Sequence, residues 1–392
     1  MLIKNVRIVD ETQDRMGSVL INDGRIATIF EDIQPAIDDA EGVKVYDGGG
    51  RTLMPSFIDM HAHMREPGYE YKEDLESGLS AALAGGYTHV CAMANTLPIT
   101  DTGEKIRQLV EKAQALDLAH LIQVCAVTED FVDDPDRLVD FQTARPWTPI
   151  FSNDGKNMAQ QVAVEKALRA SKKYDFILSC HCEPETDMVE FYIEQAKRTG
   201  GNLHICHIST KATLEAIRQA KAEGVGITCE VTPHHLFAWD LAYIVAPPIA
   251  GKADVEALIE GIREGVIDVL ATDHAPHTPE DKEKGMPGIS NLDVAFSIYH
   301  TVFQRHHLSL QRLSRMLSAE PARLLRLATG RINVGREANL VLVDLEEDVT
   351  IDPSTFRSKG ENTPFGGQTL KGRIVTTIKG GIVKYDHGQI IR

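Results

Sequence analysis

The chain has 392 residues, 43% of them hydrophobic and 25% charged, with a formal net charge of −16. That composition suits a globular enzyme with a large core, about two to three domains long or one barrel with additions. It excludes a nucleic-acid partner for want of a basic stripe, a membrane span for want of a long apolar run, and a signal peptide in residues 1–10, so a cytoplasmic location is expected.

Residues 1–50 read as short strands at 2–9, 18–21, 25–30 and 43–46, with Asn22-Asp23-Gly24-Arg25 as a hairpin turn and Asp47-Gly48-Gly49-Gly50 as a breaker. From about residue 53 to 330 the rhythm changes. Apolar, β-rich runs recur at 53–63, 87–93, 121–127, 148–152, 176–182, 203–208, 226–231 and 266–271, eight in all. Helical patterns fall between most of them, at 74–84, 103–116, 158–172, 186–198, 212–223 and 254–264, and further helices at 292–305, 309–315 and 321–327 would close the unit. Strand and helix in alternation argue for a parallel sheet, and eight repeats fit a (β/α)8 TIM barrel better than an open sheet. Strands at 338–344, 372–379 and 382–385 repeat the texture of the first fifty residues. The expected α/β architecture is therefore a barrel over 53–331 with a small β-sandwich domain formed by both termini, 1–52 and 332–392.

Chemistry in such a barrel belongs at the C-terminal ends of the strands. The first run ends in His61-Ala62-His63, whose alternation sends both imidazoles to one face. Taken alone, the pair is better explained by two loop histidines at a hydrophobic boundary. The fourth run ends in Asn153-Asp154-Gly155, the fifth in His181, the sixth in His207 and the eighth in Asp273-His274-Ala275-Pro276-His277. Four histidines and two aspartates at equivalent places on different strands point to a metal site. Imidazole with carboxylate suits zinc, and the number of ligands suits two ions: His61, His63 and Asp273 on one, His181 and His207 on the other, Asp154 bridging. Asp273 is also the candidate catalytic acid–base for hydrolysis of an amide-like bond. The six cysteines form no C-x-x-C pair and lie in apolar runs, so they read as reduced, buried thiols. Alternation turns Cys180 and Cys182 away from His181, and Cys206 is read as structural too.

The motifs H-x-H-x-R-E-P-G at 61–68, His-Ile-Ser-Thr-Lys at 207–211, Cys-Glu-Val-Thr-Pro-His-His at 229–235, Thr-Asp-His-Ala-Pro-His at 272–277 and Asn-Thr-Pro-Phe at 362–365 resemble those of the dihydroorotases of the amidohydrolase superfamily over nearly the whole chain. The resemblance implies zinc, one or two ions per subunit, and reversible interconversion of L-dihydroorotate and N-carbamoyl-L-aspartate in pyrimidine synthesis. It implies substrate contacts from Arg65, which matches the arginine that pairs with the substrate carboxylate, and from Asn95 and His277. Read without the family, Asn95 is equally a turn residue.

Three departures from the family pattern stand out. Val245-Ala246-Pro247-Pro248 has alanine where relatives place a polar substrate contact, with Lys252 as a conceivable substitute. Asp154 stands where many relatives carry a carboxylated lysine, and Lys156 is close by. The segments between His181 and His207 and before Ala246 are shorter than in many bacterial relatives. The rival readings are another cyclic amidase, such as a dihydropyrimidinase, hydantoinase or allantoinase, and a weakly active scaffold for aspartate transcarbamoylase. Arg65 separates the first, since a neutral ring leaves its charge unpaired. The intact ligand set separates the second. A homodimer and a transcarbamoylase association are both compatible with the family.

Overall fold

A ring of parallel strands lies at the centre of the computed structural model, which describes residues 1–35 and 42–392. Strands β1 Phe57–Ala62, β2 Tyr87–Ala92 and β3 His120–Gln123 are neighbours in one sheet. Strands β4 Ile150–Phe151, β5 Ile177–Cys180, β6 Leu203–Ile205, β7 Ile227–Val231 and β8 Val269–Leu270 form a second. Single parallel bridges from Cys125 to Phe151 and from Ala62 to His274 close the two sheets into one eight-stranded barrel.

Helices pack around this ring because their sequences carry one apolar stripe each. In Gly103–Leu116 the buried apolar side chains are Ile106, Leu109 and Ala113, and in Lys211–Ala222 they are Leu214, Ile217 and Ala220, the spacing of one helical face. The starts are fixed locally. Asp74 and Ser77 form a reciprocal capping box on Leu75–Ala84, and Thr102 and Thr210 cap the helices that follow them. Inside the barrel Ile58, Met60, Cys91, Val124, Ile150 and Val269 pack with Ala322 and Leu325 of the last helix. No helix among the described residues is long and apolar enough to cross a membrane.

Both termini build a single sheet of nine strands. Its N-terminal part is Leu2–Val9, Asp14–Asn22, Arg25–Phe30, Val45–Asp47 and Thr52–Pro55; its C-terminal part is Leu340–Thr350, Thr369–Lys379, Ile382–Asp386 and Gln389–Ile390. The sheet folds over its own core of Ile3, Val6, Ile8, Leu53, Leu340, Leu342, Val375 and Ile378. Across the fold the hydroxyls of Tyr46 and Thr376 share a hydrogen bond of 2.6 Å.

Three expectations are corrected. The run at 53–63 is two strands, not one. Thr52–Pro55 pairs with Leu2–Val9 and Leu340–Thr350 in the terminal sheet, and Phe57–Ala62 pairs with β2 in the barrel. The switch falls between adjacent amides: Ser56 N–H donates to Asn339 O at 3.0 Å and Phe57 N–H to Gly86 O at 3.0 Å. Second, β4 and β8 are two residues each rather than 148–152 and 266–271, because apolar character follows burial and burial extends past the paired residues. Third, the helices expected at 309–315 and 321–327 run together. Leu310–Ser314 passes through a π turn at Arg315–Ala319 into Glu320–Leu325. The N–H of Glu320 reaches back to Arg315 O, and Pro321, which has no N–H, is accommodated in that wider turn.

Candidate active site

The strand ends deliver the side chains that sequence spacing selected. His61 is the penultimate residue of β1 and His63 follows the strand; Asp154, His181, His207 and Asp273 follow β4, β5, β6 and β8. All six are buried. His61 Nε2 lies 3.3 Å from Asp154 Oδ1 and 3.5 Å from Asp273 Oδ1. His63 Nε2 lies 3.2 Å from Asp273 Oδ1 and 3.5 Å from Asp154 Oδ2. On the far side of Asp154, His181 Nδ1 and His207 Nε2 face each other at 3.0 Å and stand 3.9 and 3.8 Å from Asp154 Oδ1. Two compact donor groups result, His61/His63/Asp273 and Asp154/His181/His207.

The donor set fits a metal on an observation of its own. His61 Nε2 and Asp154 Oδ1 are buried with no hydrogen-bond partner, although they point toward the same space. A buried polar atom left unpaired costs about 1–3 kcal/mol, and a cation between them removes that cost. The imidazoles are also held with a bare nitrogen inward. Glu230, in β7, accepts from His61 Nδ1–H at 2.7 Å, and Asn95 Oδ1 accepts from His63 Nδ1–H at 3.0 Å, which in the neutral ring leaves Nε2 free.

Glu230 and its second donor were not found from sequence. Its other oxygen accepts from His204 Nε2–H at 3.0 Å, and His204 Nδ1 meets Thr228 Oγ1 at 2.8 Å. Burial by itself pushes the Glu230 carboxyl up, but the two imidazoles outweigh it and hold the pKa down to about 2. Asp59, inside β1, accepts from Thr272 N–H at 2.9 Å and ties β1 to the start of the Asp273 turn. The available signal was a charged residue in an otherwise apolar strand run, which has no reason to be there unless it is paired.

Backbone strain marks the same places. Arg65, His207 and Asp273 adopt positive φ angles of 60°, 31° and 46°, a region costly for residues with a Cβ. The turn at His207 ends strict alternation, so Cys206 does not simply point away from the site. Its thiol lies within 4.8 Å of ligand atoms on His61 and Asp154, beside Ser179 Oγ at 3.0 Å. Burial pushes its pKa up to about 12, which keeps it a neutral thiol.

A cavity of about 180 Å³ opens onto the cluster, lined among others by Arg65, Asn95, Ala246, His277 and Pro287. It has room for a small ring. Arg65 donates from Nε to Pro276 O at 3.2 Å, and among the described residues no carboxylate lies within ion-pair distance of its guanidinium. Burial lowers its pKa to about 10, so it remains a cation facing the cavity. His277 Nε2 lies 2.9 Å from Pro287 O and 3.1 Å from Arg65 Nη2, and Lys72 Nζ approaches its Nδ1 at 3.4 Å. Burial, with the fields of Arg65 and Lys72, holds its pKa down to about 3, so it is neutral. Asn95 is no free turn residue, because its amide also donates to Asp154 Oδ2 at 3.3 Å. The two lysines considered from sequence stand apart. Lys156 is exposed, and Lys252 is exposed beside Glu256 at 3.8 Å, outside the cavity lining. Lys252 therefore does not replace the side chain missing at Ala246.

Comparison with known proteins places this geometry. The pattern of the amidohydrolase family matches residues 52–383. A dihydroorotase of Clostridium botulinum is 42% identical, the alignment covering 98% of this chain and 99% of the relative. A dihydroorotase of Bacillus cytotoxicus is 34% identical over 97% of each. Among solved structures, an L-hydantoinase from Arthrobacter aurescens superimposes with a TM-score of 0.90 at 23% identity, covering 100% of this chain and 97% of that one. The dihydropyrimidinase of Brevibacillus agri gives 0.89 at 20% identity, covering 100% and 96%. At those identities the two structures speak for the fold alone. The full-length sequence matches do more: this chain belongs to the amidohydrolase family and, within it, to the group of the dihydroorotases.

Proposed function

We propose that the cavity at the C-terminal face of the barrel hydrolyses L-dihydroorotate to N-carbamoyl-L-aspartate, reversibly, with zinc held by His61, His63, Asp154, His181, His207 and Asp273. The family is metal-dependent, and the two adjacent donor groups, each with one aspartate, support a binuclear site. Zinc, when bound, supplies Lewis acidity and makes water a nucleophile near neutral pH. The chain's own residues do the rest. Arg65 holds the substrate carboxylate through its planar fork, His277 and Asn95 border the ring, and the cavity wall excludes bulk water. Asp273 accepts the proton of the attacking water at a carboxylate oxygen. It then delivers that proton to the ring nitrogen as the amide C–N bond breaks. Burial raises the Asp273 pKa, but the imidazoles of His63, His61 and His207 around it win and hold it low, so the carboxylate is ready to act as a base.

The observation that carries this reading is Arg65, a half-buried arginine on the cavity lining beside the ligand cluster, with no carboxylate partner among the described residues. Hydantoins and dihydrouracils offer it no anion. The barrel is thus the catalytic unit and the sheet from both termini its scaffold, with the junction at Ser56. Six buried, unpaired thiols support a reducing compartment such as the cytoplasm. Metal analysis combined with a dihydroorotate hydrolysis assay tests the proposal. Purified protein should contain zinc and open dihydroorotate at alkaline pH, closing carbamoyl aspartate below neutrality. Turnover of hydantoin or dihydrouracil with none of dihydroorotate would sink it.

A further inference from the structure

Lys282, in the short helix Pro279–Glu283, belongs neither to the ligand set nor to the cavity lining. An ammonium has three donors. Here three carbonyl oxygens converge on it: Ile244 O at 2.9 Å, Met286 O at 2.8 Å and Gly288 O at 3.0 Å. The ring of Tyr243 covers the same nitrogen at 4.4 Å. Among the described residues no carboxylate reaches it, and burial lowers its pKa to about 8. A lysine tip that only sought solvent or a counter-ion would not be spent in this way on backbone oxygens.

The carbonyls come from two loops that are separate in sequence. One carries Val245 and Ala246, the other Met286, Pro287 and Gly288, and together these five residues form one wall of the cavity. Apart from Lys282, Gly288 N–H to Ile244 O at 3.2 Å links the loops. Ala246 offers the cavity only a methyl group, so this wall recognises by shape, and its shape depends on where the two backbones are held.

We propose that Lys282 is a positioning residue that staples the 241–247 loop to the 286–288 loop and thereby sets the wall against which the substrate ring is bound. The recognition part rests on the proposed dihydroorotate site; the staple itself does not. The test uses the metal-loaded protein with Lys282→Met, which keeps the apolar stem and removes the donors, and with Lys282→Arg, which keeps charge. Amide hydrogen exchange over 241–247 and 286–288 should quicken about tenfold in the Met variant, with part of the protection recovered in the Arg variant. KM for dihydroorotate should rise about tenfold while kcat changes less than about threefold and metal content is unchanged. Exchange identical to wild type in the Met variant overturns the staple. Faster exchange with unchanged KM overturns its part in recognition. If wild type proves inactive on dihydroorotate, the proposed function falls and the exchange measurement alone decides the staple.

Discussion

Glu230 accepts two imidazole N–H groups at the floor of the site, at 2.7 and 3.0 Å, and is fully buried. Changing it to glutamine keeps the volume and removes the charge. The amide oxygen can still accept from His61 Nδ1. The amide NH2 then faces His204, which can move its own proton to Nδ1 because Thr228 Oγ1 is placed to receive it at 2.8 Å. Folding should survive. The metal site should not be indifferent, since a hydrogen bond to a charged acceptor contributes about 1.5–3 kcal/mol against about 0.5–1.5 for a neutral one. Partners behind a ligating histidine typically change metal affinity about 10- to 100-fold, or about 1.4–2.7 kcal/mol. Glu230→Gln should therefore bind zinc about 10- to 100-fold more weakly in competition with a chromophoric chelator, with a melting temperature close to wild type. Glu230→Leu, which strands both donors at about 1–3 kcal/mol each, should be destabilised outright. A glutamine variant that holds zinc within about twofold of wild type would refute the idea that Glu230 sets the basicity of His61.

Arg65→Lys replaces a planar fork with a point charge, so KM for dihydroorotate should rise about tenfold or more while metal content stays at the wild-type level; metal loss would count against the role assigned to Arg65. Asp273→Asn should lower kcat by about 10²- to 10⁴-fold, and near-normal turnover would remove Asp273 from proton transfer. Asp293 accepts from Arg357 N–H at 2.7 Å, and burial pushes its pKa from 3.8 up to about 6. A folded pKa above the unfolded one means that the native state keeps this proton, a contribution fully present below about pH 4 and lost as pH rises through about 6. The stability of Asp293→Asn relative to wild type should accordingly improve by up to about 3 kcal/mol between about pH 4 and pH 7, and a difference that does not change with pH would disprove the assignment.

The ligand cluster was legible because barrel topology converts strand ends into neighbours. Once eight runs are recognised, His61, Asp154, His181, His207 and Asp273 must share a rim. Arg65 was singled out by its place two residues after His63 and by the family motif, and the structure sets it on the cavity lining. What escaped was pairing perpendicular to the chain. Glu230 and His204 each look like a lone polar residue in an apolar run, and only the alignment of β6 with β7 joins them. The split at Ser56 escaped because both sheets bury their strands, leaving hydrophobicity unbroken across the junction. The position of the Cys206 thiol escaped because alternation assumes extended backbone, and His207 departs from it. Lys252 was suggested by nearness in sequence, whereas its helix carries it outward to Glu256.

The strand Thr52–Pro55 has Leu2–Val9 on one side and Leu340–Thr350 on the other, and it runs straight into β1. On a ribosome the first neighbour is available at once, but the second emerges only after the whole barrel has been made. Until then one edge of the strand offers unpaired N–H and C=O groups to any passing chain. The last strands to be translated thus act as a late-fitted lock on the strand that leads into the barrel.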